Sequence, residues 1–147
     1  MECPVMSSSC RNAGKDIAFR CHPEHMERVV KWFDLLGVEN NHIHDCGKAG
    51  KNETINWLQN LGVLAIREHP VIMKISAAIK LAFLQFHFRK RGDLIYLQKQ
   101  SRNLLERMKA AIRQLRDAHD HIIIVVFLHG GLMYTANITG TRDIFRI

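Results

Sequence analysis

Residues 119–134, HDHIIIVVFLHGGLMY, decide how this chain is read. Residues 122–128 are seven consecutive apolar side chains, most of them β-branched, with polar residues on both sides. β-Branched side chains suit the pleated backbone, and seven residues is short for a helix, so the run reads as a strand. An unbroken apolar run, in place of alternation, is what a strand covered on both faces requires. It leads straight into His129, Gly130 and Gly131. Functional residues in open α/β sheets collect beyond the carboxyl ends of central strands, which is where His129 would stand.

Working outward from this strand gives a fold class. Residues 102–118 form an amphipathic helix that Ser101 can cap. Leu104, Met108, Ala111, Ile112 and Leu115 share its apolar face, and Arg102, Lys109, Arg113 and Arg116 its opposite one. Before it, RKRGD (89–93) reads as a turn and LIYLQ (94–98) as a strand. Residues 71–88 have the length and composition of a largely buried helix, and VLAIRE (63–68) suits a buried strand. Residues 62–147 therefore predict β-α-β-α-β, a small, mostly parallel α/β sheet with crossover helices. Residues 23–61 predict a pair of helices carrying a Cys/His cluster. The first has Met26, Val29, Val30, Phe33 and Leu36 at helical spacing, with Gly37 as its left-handed cap. The second is ETINWLQNL (53–61), closed by Gly62. Residues 1–22 lack periodicity and read as a flexible tail. The helical pair either stands alone or joins 62–147 in one compact domain.

Composition narrows the function classes. The chain has 147 residues, 47% apolar and 24% charged, which is enough to bury a core without help from cross-links. The net charge of +7 is concentrated. Residues 70–116 carry 11 Lys/Arg against Asp93 and Glu106, a net +9, which leaves −2 for the rest. An acidic partner follows, either a protein surface or a phosphate backbone. For RNA or DNA the contacts would be Arg89, Lys90, Arg91, Arg102, Lys109, Arg113 and Arg116. Few aromatics stand near them, so binding would be largely independent of sequence. No apolar stretch is long enough to span a bilayer without charges, residues 71–88 being interrupted by Lys74 and Lys80.

The four cysteines all lie in the first third of the chain, with no leader segment ahead of them. Reduced thiols in an intracellular protein, cytoplasmic or nuclear, are the first expectation, and disulfides the second. Cys21-x3-His25 and His42-x3-Cys46 form a mirrored pair whose i, i+4 spacing can aim four ligands at one structural zinc. The spacing matches no standard finger, and scattered surface histidines with buried thiols account for the same residues without metal.

His129 has three readings. The plainest is a turn that ends the strand. An esterase strand can also end in His-Gly-Gly, but no serine elbow fits in the 18 residues that follow. Third, residues 111–147, AIRQLRDAHDHIIIVVFLHGGLMYTANITGTRDIFRI, resemble the caspase family and its clan of cysteine peptidases. Ala118-His119-Asp120 takes the place of the family's turn, His129-Gly130 that of its catalytic His-Gly, LMYTANITG that of its hairpin and DIFRI that of the helix after it. The departures bear on activity. Leu128 stands where the family has Ser or Thr, Gly131 stands where it has an acid, and neither its Arg-x-Gly segment nor its nucleophile cysteine is matched. The resemblance implies a catalytically inactive relative, with His129 and Gly130 vestigial, acting as a regulator or decoy on a caspase-family partner. The runner-up is a small basic nucleic-acid-binding accessory protein, zinc-stabilised.

Overall fold

The structure, a computed structural model, describes residues 1–10, 18–88 and 94–130, with side chains from residue 101 onward in the last span. The chain divides into two compact units, Met1–Arg67 and Glu68–Ile147. It is a mixed α/β protein with small sheets that contain parallel pairs.

The first unit contains α1 (Pro23–Val30), β1 (Leu35–Gly37), α2 (Gly47–Asn60) and β2 (Leu64–Ile66). Proline at the first position starts α1 without losing a helical hydrogen bond. Helical spacing continues in the sequence through Phe33 and Leu36, but the helix stops earlier. Trp32 and Phe33 bond back only three residues, to Val29 and Val30, and the chain turns out of the helix. Leu35, Leu36 and Gly37 instead pair in parallel with Leu64, Ala65 and Ile66. Gly37 thus ends a strand and is not a helix cap. Gly62, which follows α2, is left-handed instead, at φ +77°. Val30, Val38, Ile43, Ile55, Leu58, Val63 and Ala65 form the core of this unit.

Residues 1–22 are not a free tail in their described parts. Val5 is fully buried, its N–H donates to Thr54 Oγ1 at 2.8 Å, and it bridges to Cys21. Two disulfides, Cys3–Cys21 and Cys10–Cys46, tie the segment down. Covalent and polar anchors leave no hydrophobic period in a sequence, which is why the segment reads as a tail. The expectation of reduced thiols is corrected at the same time.

In the second unit, β3 (Val71–Lys74), β4 (Lys80–His87) and β5 (Ile122–His129) make one sheet in the order β3-β4-β5, with α3 (Leu94–Ala118) between β4 and β5. β3 and β4 are antiparallel, and β4 and β5 parallel. The helix expected over 71–88 is therefore a hairpin. Its turn is held by Ser76, whose Oγ accepts the N–H groups of Ala78 and Ile79. Ala82, Leu84 and Phe86 alternate inward, a period of two that the apolar composition of the segment conceals. Residues 94–98, read as a strand, open α3. The turn expected at 89–93 lies outside the described residues.

The apolar face of α3 behaves as expected. Leu104 and Leu115 are buried, and Met108 and Ala111 join them against Ala82, Leu84 and Phe86 of β4. Ile122, Ile124, Val126 and Leu128 of β5 pack on the same cluster. On its other face Ile123 and Phe127 are exposed, at 54% and 43%. Among the described residues β5 pairs only with β4, so the expectation of a central strand covered on both faces is not met there.

Candidate functional site

Both units place histidines at the carboxyl ends of parallel strands, the position in α/β sheets where backbone ends and loops leave room for a ligand. In the first unit the chain leaves β1 through Val38 and Glu39 into the turn Asn40–Asp45. Asn40 shapes this turn. Its Oδ1 accepts the N–H groups of His42 at 2.8 Å and Ile43 at 2.9 Å, and its Nδ2 donates to the Val38 carbonyl at 3.1 Å. Glu39, nearly buried, pairs with Lys51 Nζ at 2.6 Å.

The turn presents His42 to Asp45. Nδ1 of His42 lies 2.7 Å from Oδ2 of Asp45, a carboxylate with no solvent exposure. The same oxygen accepts the Phe19 N–H at 2.8 Å, and the Phe19 ring stacks at a tilt on the imidazole, centroids 4.3 Å apart. An ionised carboxylate only accepts, so Nδ1 carries the proton and Nε2 is left as the basic nitrogen. A carboxylate behind an imidazole fixes the ring and its tautomer, which turns the other nitrogen's lone pair outward.

In the second unit β4 and β5 end side by side on His87 and His129, which are register partners. Their rings meet edge-on with centroids 5.4 Å apart. The Phe88 N–H donates to the His129 carbonyl at 2.8 Å, which carries the pairing one step past the strands. A Cβ at Gly130 would come within 2.8 Å of the Phe88 Cβ, so the glycine beside His129 is required by a close chain approach. Two adjacent imidazoles can share a proton, an anion or a metal ion. Among the described residues no three His, Cys, Asp or Glu side chains gather as a metal cluster.

The remaining expected site residues are dispersed. Cys21 and Cys46 are bonded to Cys3 and Cys10, whereas the tetrahedral zinc arrangement requires both as thiolates. His25 sits exposed on α1, its ring 5.8 Å from that of His22. Arg102, Arg113 and Arg116 are exposed on α3, and Lys109 pairs with Glu106 at 3.2 Å. Arg89, Lys90 and Arg91 lie outside the described residues, as do the segments likened to a caspase hairpin and helix. Sequence reasoning missed Asn40, Asp45 and His87. The signal for the first two was the dense polar string ENNHIHD directly after an apolar LLGV; for His87, it was only that β4, like β5, ends in histidine.

Among the described residues no helix is long and apolar enough to cross a membrane. No curated protein matches the chain. A family model does, over residues 1–143: that of the bacterial capsule synthesis protein PGA_cap. The match runs through both units and overturns the caspase-like reading, which rested on the last part of the chain. An apolar strand ending in His-Gly is a general product of α/β sheets, because a sheet interior must be apolar and its carboxyl edge is where polar groups emerge. The decoy or regulator role falls with that resemblance. The nucleic-acid accessory reading gains no support, and His129 and Gly130 are no longer read as remnants of a peptidase.

Proposed function

The chain belongs to the PGA_cap family of bacterial capsule synthesis proteins, and on that premise we propose that it takes part in building a capsule, with His42 as a working base. The observation that carries the proposal is the family match over residues 1–143. The buried Asp45–His42 pair supports the role given to the histidine. Nε2 of His42 would take a proton from a bound hydroxyl or water, and Asp45 would stabilise the imidazolium formed. Arg102, Arg113 and Arg116, exposed on one helix, favour an acidic partner surface.

Complementation tests the proposal. An encapsulated host lacking its own PGA_cap gene should regain capsule when given this chain, measured as cell-bound capsular polymer. His42→Ala should lower that polymer about 100-fold, the range for loss of a general base. The exposed His25→Ala should restore it fully. Failure of the wild-type chain would overturn the capsule assignment, and full activity of a folded His42→Ala protein would overturn the role of His42.

A further inference from the structure

A groove of about 370 Å³ opens on the first unit, away from the turn that holds His42 in sequence and built by different elements. One wall is a single face of α2. Glu53, Asn56, Trp57 and Asn60 stand at i, i+3, i+4 and i+7, so a helix aligns all four side chains along one side. The facing wall is the N-terminal segment at Val5 and Ser7. This wall is fixed. Val5 N–H donates to Thr54 Oγ1 of α2, Met6 N–H donates to the Cys21 carbonyl at 3.0 Å, and the Cys3–Cys21 disulfide closes the strap.

The lining chemistry selects a ligand. Asn56 and Asn60 are exposed amides, and each can donate and accept at the same time, as neighbouring hydroxyls on a ring demand. The half-buried Trp57 supplies an apolar surface for C–H groups, with its own anchor in the core. Glu53 is the only charged group in the lining among the described residues. Its carboxylate accepts from Ser7 N–H at 2.9 Å, Ser7 Oγ at 3.1 Å and Ser8 Oγ at 3.5 Å, which leaves about one of its four lone-pair directions for a ligand hydroxyl. Among the described residues no lysine, arginine or histidine lines the groove, so none of them offsets the charge of a phosphate or carboxylate there. The volume lies at the small end of ligand pockets and is enough for a ring or two, not for a folded partner.

We infer that this groove is a binding subsite for an uncharged, hydroxyl-rich ring, that is, a neutral saccharide unit. It goes beyond the capsule assignment and beyond the His42 base, since binding at α2 requires neither.

Saturation-transfer NMR and calorimetry on the full chain test it with two neutral trisaccharides, chitotriose and maltotriose, and an acidic one, trigalacturonate. At least one neutral trimer should bind saturably with a Kd of about 1 mM, and the acidic one at least about tenfold more weakly. Asn56→Ala with Asn60→Ala, at exposed positions that leave the core intact, should weaken the neutral trimer by about tenfold or more. Trp57→Ala should do the same, and Trp32→Ala, at a residue 87% exposed elsewhere on the unit, should not. Absence of saturable binding by either neutral trimer overturns the inference. So does tighter binding of the acidic trimer, or neutral binding that the asparagine pair leaves unchanged.

Discussion

The two units solve the problem of burial differently. Met1–Arg67 buries Glu39, Asn40, His42, Asp45 and Thr54 beside its apolar core and adds two disulfides. In Glu68–Ile147, Gln85 is the one buried polar side chain among the described residues, and packing of α3 on β4 and β5 does the rest. The second unit rests on non-directional burial of apolar area, which tolerates exchange of one apolar residue for another of similar volume. The first rests on directional bonds, each of which strands a buried partner if it is lost. His42, at 9% exposure, sits in the first kind of setting, where the buried Asp45 carboxylate is kept satisfied.

Reduction should separate the units most sharply. The disulfides close loops with separations of 18 and 36 residues, and should contribute about 3 and about 4 kcal/mol by restricting the unfolded chain. A thiol reductant should therefore speed amide exchange in α2 strongly and leave β4 unchanged. Equal acceleration in both would erase the contrast. Next in size is Phe86→Ala, at 1% exposure in the second core, which should cost about 4 kcal/mol in a urea titration. A cost below about 1 kcal/mol would mean that packing is not what holds this unit. The smallest effect isolates the polar term. Thr54→Val keeps shape and volume but removes the hydroxyl that takes the Val5 N–H and donates to the Gly50 carbonyl at 2.7 Å. About 1–2 kcal/mol should be lost, read as a shift in urea midpoint. A neutral outcome would show that the first unit, too, is governed by apolar packing.

How much of this was legible depended on which force shaped each segment. The second half of α2 and residues 102–118 of α3 follow from hydrophobic periodicity, and β2 and β5 from short apolar runs, because each buries an apolar surface. Residues 71–88 deceived for a related reason. A hairpin with apolar residues on both faces has nearly the composition of a buried helix, and only the Ser76 turn separates the two. The family resemblance drawn from the C-terminal residues failed because it used the most generic part of an α/β fold. At the candidate site, His42 and His129 were visible as chemistry-bearing residues. Their partners were not: Asp45 meets His42 through a turn set by Asn40, and His87 meets His129 through strand register.

By itself, then, the sequence determined the mixed α/β class, the amphipathic face of α3, the apolar run of β5 and the close of α2 before Gly62. These are local properties, fixed by side-chain spacing and backbone preference within a few residues. Only the tertiary structure decided that Leu35–Gly37 pairs with Leu64–Ile66, that Cys3 and Cys10 meet Cys21 and Cys46, and that the first residues form the wall of a groove. Those contacts join residues up to about fifty positions apart, between Val5 and Thr54, and loop closure leaves no periodic trace in the chain that undergoes it.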